Sequence, residues 1–182
     1  MRRSSGHTHG KRELVRSTTR RWEIGVTHHR RKITAEGPPT SLPGARFIEA
    51  DDYHSRSEIE HILAGQPLSD DERQPWLAKL REVLLDCVAR KESAVLACSA
   101  LKESYRRLLR VDADAVRFVY LKGDPAIIQQ RLRRRVGHFA HESLLASQYA
   151  ALEEPADSLT LDIDEAPEQI AQRISDAFGL GL

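Results

Sequence analysis

Acidic residues and a histidine follow a short apolar segment about a quarter of the way along the chain. Asp51, Asp52 and His54 come directly after residues 46–50, which have the composition of a β-strand. Carboxylates in this position can hold Mg²⁺ through water or accept a proton from an attacking hydroxyl. A solvated loop with a helix-capping aspartate is the alternative interpretation of the same residues.

A basic group follows the continuous apolar run at residues 93–98. Ser99 and Lys102 come first, and Tyr105 and Arg106 lie one helical turn further on. Because residues four apart share a helix face, Lys102 and Arg106 are predicted to point at one anion. The alternative is an ordinary exposed basic pair without a ligand.

Four arginines lie in the segment RLRRRVGHF at residues 131–139. An arginine-rich helix end followed by a glycine suits a lid whose guanidinium groups neutralise a transferring phosphoryl group. A basic helix C-terminus that the helix dipole favours is the alternative. The order of the three clusters along the chain favours phosphoryl transfer to an anionic small molecule.

Regular elements must position these clusters, and from residue 41 onward short apolar runs alternate with amphipathic stretches. Strands are predicted at 46–50, 93–98, 116–121 and 159–164. Helices are predicted to begin at Asp70, to cover 101–110, to begin at Pro125 behind an Asp124 N-cap, to cover 142–152, and to run from about Asp164 to Gly179. The alternation predicts a three-layer α/β fold, a doubly wound parallel sheet with ligands at the carboxyl ends of its strands.

The composition divides the chain near residue 40. Residues 1–40 contain ten Lys and Arg against three Asp and Glu, whereas residues 41–182 contain eighteen against twenty-four. The net charge of +1 is therefore the sum of a basic segment and an acidic segment. No apolar run is long enough to cross a bilayer, which excludes a membrane-spanning protein. Two cysteines, Cys87 and Cys98, are too few for a disulfide scaffold and fit a reducing compartment, and neither is a nucleophile candidate.

The basic first forty residues have too few apolar side chains to fold alone. Their one predicted ordered piece is a short strand at Trp22–Thr27. Three interpretations stay open: a disordered basic tail, a mitochondrial transit segment, or a segment that replaced another one. A nucleic-acid-binding arm is disfavoured, since aromatic residues are not interleaved with the charges.

Residues 42–178 resemble the gluconokinases, small P-loop kinases that phosphorylate D-gluconate with ATP. The matching strings are ADDYH at 50–54, GQPLSDDERQPWL at 65–77, ACSALK at 97–102 with Tyr105 and Arg106, RVGHF at 135–139, LLASQ at 144–148, LEEP at 152–155 and DID at 162–164. The resemblance implies a fold like that of P-loop nucleoside monophosphate kinases, ATP and Mg²⁺ as cofactors, a homodimer and a cytoplasmic location. A mitochondrial location is the alternative if the basic N-terminus is a transit segment.

The resemblance also implies roles for individual residues. Asp51 would orient or deprotonate the gluconate 6-hydroxyl and help to hold Mg²⁺. The substrate site would be lined by His54, Arg73, Lys102, Arg106, His138 and Gln148. Arg131 and Arg135 would reach the phosphates of ATP from a lid, and residues 162–167 would lie near the adenine.

The chain departs from the family pattern most strongly at its front. The family begins with a strand, central in the sheet, that runs into G-x-x-x-x-G-K-[ST], whose glycines let backbone N–H groups wrap the phosphates. Here Trp22–Thr27 is the candidate strand, and Gly25–Thr34 keeps Lys32 but has bulky His and Arg in place of the inner glycines. We interpret this segment as a chance match or a decayed remnant. Further on, Ser55, Glu58 and His61 replace a Pro, an Asn and a Lys, which removes an amide and a cation near the sugar.

Three functional hypotheses follow. The first is an active gluconokinase whose N-terminus is altered by splicing, a changed start or a gene-model error. The second is a catalytically impaired isoform or non-catalytic paralogue that binds gluconate or an intact subunit. The third, a shikimate-kinase-like enzyme, is disfavoured by the Gly137-His138-Phe139 motif.

Overall fold

The computed structural model describes residues 22–27, 45–133 and 142–180. Five parallel strands form one sheet in the order β2-β3-β1-β4-β5. The strands are β1 (Trp22–Thr27), β2 (Arg46–Glu49), β3 (Ala94–Cys98), β4 (Val116–Lys122) and β5 (Leu159–Asp162). The predicted strands are therefore confirmed within a few residues, and all of them enter the sheet in parallel.

Helices fill the connections between the strands. A 3₁₀ turn covers Ala50–Tyr53, and the α-helices are α1 (Arg56–Leu63), α2 (Asp70–Arg90), α3 (Glu103–Leu109), α4 (Pro125–Arg133), α5 (Glu142–Ala151) and α6 (Pro167–Phe178). The 3₁₀ turn and α1 are additions to the prediction, because their charged sequence has little apolar periodicity. None of the helices in the described ranges combines the length and apolar character that crossing a bilayer requires.

The strand β1 lies at the centre of the sheet. Ile24 is opposite Leu96 of β3 on one side and Phe118 of β4 on the other. The candidate strand from the basic N-terminal segment thus takes the central position. This places the carboxyl end of β1 between the carboxyl ends of β3 and β4.

Apolar residues cover both faces of the sheet. On one face, Leu77, Leu80 and Leu84 of α2 pack with Leu96 and Phe118. On the other face, Ile170 and Ile174 of α6 pack with Val119 and Leu161. Adjacent residues Phe118 and Val119 enter opposite clusters because successive side chains of a strand alternate. The predicted three-layer doubly wound architecture is confirmed.

The long helix α2 begins where the sequence predicts. The Ser69 hydroxyl accepts the backbone N–H of Glu72, and the Glu72 carboxylate accepts the N–H of Ser69, which is a complete capping box. The helix ends at Lys91, whose φ of 54° places it in the left-handed region. This cap sets the direction of α2, and so the positions of Asp70 and Trp76 on it.

Candidate active site

The turn that carries Asp51 is anchored by a tryptophan. Ala50 begins the 3₁₀ turn at the carboxyl end of β2, and its carbonyl accepts a hydrogen bond from Trp76 Nε1 at 2.7 Å. Trp76 is 2% exposed, and its indole stacks on the His54 ring with centroids 4.7 Å apart and planes 11° from parallel. The helix α2 therefore holds both ends of the segment from Ala50 to His54.

A histidine lies between two carboxylates at this anchored turn. His54 Nε2 is 3.5 Å from an Asp51 oxygen, and His54 Nδ1 is 3.6 Å from a Glu58 oxygen. Burial would raise the pKa of Glu58, but hydrogen bonds from the Ser55 N–H and hydroxyl, with His54 nearby, lower it below its ordinary value. Glu58 thus supplies negative charge to the side of His54 that faces away from Asp51.

A second cluster gathers two hydrogen-bond donors and an arginine around one carboxylate. Lys102 Nζ lies 2.8 and 2.6 Å from the two Asp70 oxygens, and Tyr105 Oη donates to Oδ1 at 2.5 Å. Arg73 Nη1 is 3.7 Å from the same oxygen, and its guanidinium lies 6.0 Å from the centre of the Tyr105 ring. We call Asp70, Arg73, Lys102 and Tyr105 the Asp70 cluster.

Ionisation in the Asp70 cluster follows from these contacts. The hydrogen bonds from Lys102 and then Tyr105 lower the pKa of Asp70, and the bond to Asp70 raises the pKa of Lys102. Burial, followed by the bond to Asp70, raises the pKa of Tyr105. At neutral pH the lowered pKa keeps Asp70 ionised, and the raised pKa values keep Lys102 and Tyr105 protonated.

Arg106 lies apart from the Asp70 cluster. Its guanidinium is buried, and Nη1 donates to the carbonyls of Ala100 and Leu101, each at 3.0 Å. The prediction that Lys102 and Arg106 point at one anion assumed that both lie on a helix. Lys102 is instead the extended N-cap of α3 with φ −101° and ψ 150°, so helical spacing does not apply to it. The two side chains contact different groups.

The remaining predicted residues are distributed as follows. Gln148 is partly buried on α5, and Arg73 is in the Asp70 cluster. Arg131 lies on α4, but its side chain falls outside the described residues, as do Arg135, His138 and the glycine-poor segment with Lys32. The structure therefore places Asp51, His54, Arg73, Lys102, Arg106 and Gln148, and the lid residues stay predictions.

Glu153 and Glu154 follow α5 and are not among the predicted site residues. The Glu154 carboxylate lies 2.9 Å from Lys122 Nζ at the end of β4, and Tyr120 Oη donates to it at 3.5 Å. Burial and the nearby Glu154 raise the pKa of Tyr120 to about 12. The Glu153 carboxylate accepts the backbone N–H of Glu103 at 2.6 Å. The string LEEP shows that two carboxylates are adjacent in the sequence. It does not show their partners, because Glu103 lies 50 residues before Glu153 and Lys122 lies 32 residues before Glu154.

Metal binding at this edge of the sheet would rest on few protein ligands. Among the described residues, no three His, Cys, Asp or Glu side chains gather in a way that could hold a metal ion. Mg²⁺ in nucleotide sites is commonly held by one or two carboxylates together with phosphate oxygens and water. Asp51 at the end of β2 fits that donor set. The buried thiols do not, and burial raises the pKa of Cys98 to about 12.

No protein-family model matches the chain, but individual curated proteins do. It is 39% identical to the thermoresistant gluconokinase of Escherichia coli (strain K12) over 130 residues, which is 69% of this chain and 74% of that protein. It is 42% identical to the gluconokinase of Gluconobacter oxydans (strain 621H) over 134 residues, 74% of this chain and 75% of the relative. A probable gluconokinase of Mus musculus is 38% identical over 167 residues, 81% of this chain and 91% of that one.

Solved structures agree with these relatives. An unliganded sugar kinase from Janibacter sp. HTCC2649 is 32% identical with a TM-score of 0.74, over 88% of this chain and 95% of that one. A gluconokinase from Sinorhizobium meliloti 1021 is 28% identical with a TM-score of 0.72, over 88% and 93%. A shikimate kinase from Bacteroides thetaiotaomicron, at 14% identity and a TM-score of 0.53 over 87% and 98%, shares the fold alone.

Proposed function

Because the chain belongs to the gluconokinase family, we propose that it transfers the γ-phosphoryl group of ATP to D-gluconate, giving 6-phosphogluconate and ADP. The observation that carries this proposal is the identity of 36–42% to bacterial gluconokinases across about three quarters of their length. Kinases of this fold class use ATP with a divalent metal, and we take that metal to be Mg²⁺.

The Asp70 cluster supports binding of a sugar acid. Lys102, Tyr105 and Arg73 already surround one carboxylate, that of Asp70. A substrate carboxylate offers the same two oxygens to the same donors, and charge-assisted bonds of this kind are the strong ones. In the proposed complex Lys102 and Arg73 therefore hold the carboxylate of gluconate, with Gln148 and His138 on its hydroxyl groups.

Asp51 is the proposed base. Its oxygen lies beside His54, which Trp76 and Glu58 hold in place, so the carboxylate is oriented before substrate arrives. Asp51 accepts the proton of the 6-hydroxyl as that oxygen attacks the γ-phosphorus, a step that general base catalysis accelerates by about 10²–10⁴-fold. When Mg²⁺ is bound it neutralises phosphate charge, and Asp51 would be among its ligands. Arg131 and Arg135 are proposed to face the phosphates.

The test is gluconate-dependent release of ADP by the purified full chain. We expect turnover with gluconate and little with glucose, which lacks the carboxylate. Lys102→Ala should raise KM for gluconate by about tenfold or more, since it removes a charged donor. Arg90→Ala is the matched control, because it removes an exposed cation at the far end of α2 that pairs with Asp86.

A folded chain that releases no ADP in response to gluconate would contradict the proposal. Equal effects of Lys102→Ala and Arg90→Ala on KM would contradict the role of Lys102. The cytoplasmic location, its mitochondrial alternative and the homodimer stay predictions from the sequence.

A further inference from the structure

The turn between β3 and α3 carries Lys102 and is held by a buried arginine. Arg106 is 1% exposed, and its Nη1 donates to the carbonyls of Ala100 and Leu101, while Nε donates to a Glu103 oxygen at 3.1 Å. These partners are the two residues before Lys102 and the one residue after it. The guanidinium thus binds the backbone of its own turn.

Glu153 holds the same turn from outside. Its backbone N–H donates to the Leu101 carbonyl at 2.9 Å, and its carboxylate accepts the Glu103 N–H at 2.6 Å. Glu103 is the first residue of α3, so its N–H has no carbonyl acceptor within the helix. Glu153 therefore binds one backbone group on each side of Lys102.

The turn needs this support because one of its residues is strained. Ala100 has a φ of 24° and is fully buried. Residues other than glycine at positive φ cost energy and persist where surrounding contacts determine them. The Arg106 bond to the Ala100 carbonyl, and the shared hold of Arg106 and Glu153 on Leu101, are such contacts.

We infer that Glu153 and Arg106 are positioning residues that set the place of the Lys102 ammonium in the substrate site. The inference rests on the proposed role of Lys102 as a gluconate ligand. It gives Arg106 a role distinct from substrate contact. Without the Glu153 carboxylate, the backbone at Glu103 can move and Lys102 no longer meets the substrate carboxylate at one preset position.

The test uses Glu153, which is exposed and can be changed without opening the core. Glu153→Ala should raise KM for gluconate about fivefold, the effect of one lost hydrogen bond, and leave KM for ATP unchanged. Glu153→Gln keeps an oxygen acceptor and should stay within about twofold of wild type. Asp157→Ala is the control, since Asp157 binds Arg110 at the opposite end of α3 from the same segment.

Amide hydrogen exchange of residues 99–105 supplies a readout that needs no gluconate. It should quicken in Glu153→Ala and stay unchanged in Asp157→Ala. An active wild type with an unchanged gluconate KM in Glu153→Ala, or with KM for ATP shifted equally, would overturn the positioning role. A wild type without gluconate-dependent ADP release would instead refute the proposed function. In that case amide hydrogen exchange alone tests the positioning role, and unchanged exchange of residues 99–105 in Glu153→Ala would overturn it.

Discussion

Trp76 joins the core of the protein to the turn that carries Asp51, and replacing it with phenylalanine separates its two contributions. Phenylalanine keeps an aromatic ring against His54 but has no N–H for the Ala50 carbonyl, which Trp76 binds at 2.7 Å. Ala50 is 1% exposed, so water does not readily replace the donor. A buried acceptor left without its partner costs about 1–3 kcal/mol.

The smaller ring adds a packing loss to this cost. Trp76 is part of the core cluster with Leu77 and Leu80, and removing half of the indole leaves a space there. Taking about 1 kcal/mol for that space, Trp76→Phe should lower the free energy of unfolding by about 3 kcal/mol. For a chain of this size that corresponds to a fall in Tm of about 6–12 °C.

Urea unfolding followed by far-UV circular dichroism measures the stability, and the slope m should not change. Steady-state kinetics should show kcat reduced about tenfold or more, because Ala50 directly precedes the proposed base. Leu84→Ala is the control, a buried truncation two turns further along α2 that should cost about 3 kcal/mol without lowering kcat. A stability loss below about 0.5 kcal/mol in Trp76→Phe, or an equal fall of kcat in Leu84→Ala, would refute the reasoning.

Two further predictions concern acid stability and close packing. The pKa of Glu58 is lowered from 4.5, so its carboxylate stabilises the fold above that pH, and the contribution disappears as the pH falls through the lowered value. Urea midpoints between pH 6 and pH 3 should therefore fall more steeply for wild type than for Glu58→Gln, and equal slopes would contradict this. A Cβ at Gly123 would lie 2.5 Å from Ile163 Cγ1 and 3.0 Å from Ile128 Cδ1, so Gly123→Ala should cost about 1–3 kcal/mol by overpacking. It should also raise KM for ATP, since Ile163 belongs to the segment expected near the adenine, and an unchanged Tm would show that Ile163 moves at no cost.

The sequence predicts best what depends on neighbours along the chain. The start of α2 is predicted from the acidic residues that begin at Asp70, and the start of α4 from Asp124, whose carboxylate accepts the Ala126 N–H. The parallel sheet follows from the alternation of elements. These features need no knowledge of tertiary contacts, which is why the boundaries agree within a few residues.

The contacts within the candidate site depend on distant residues instead. Asp70 is predicted only as a helix start, yet it binds Lys102, 32 residues later. The expectation that Lys102 and Arg106 point at one anion assumes helical spacing, whereas Lys102 is the extended N-cap of α3 and Arg106 donates to backbone carbonyls of its own turn. In the sequence, Glu58 stands where the family has an asparagine and is interpreted as the loss of an amide near the sugar. In the structure its buried carboxylate lies beside the His54 ring.

The central position of β1 determines how the two sides of the sheet are linked through backbone hydrogen bonds. Strands β2 and β3 carry Asp51 and Lys102, and strands β4 and β5 carry Lys122 and the segment after Asp162, but β3 and β4 do not pair with each other. Among the residues that the structure describes, every backbone hydrogen bond between the two halves of the sheet therefore involves Trp22–Thr27. In the described sheet, these six residues of the basic N-terminal segment form the only ladder between the β2-β3 pair and the β4-β5 pair. Removing them would leave two separate two-stranded sheets, each with a newly open edge.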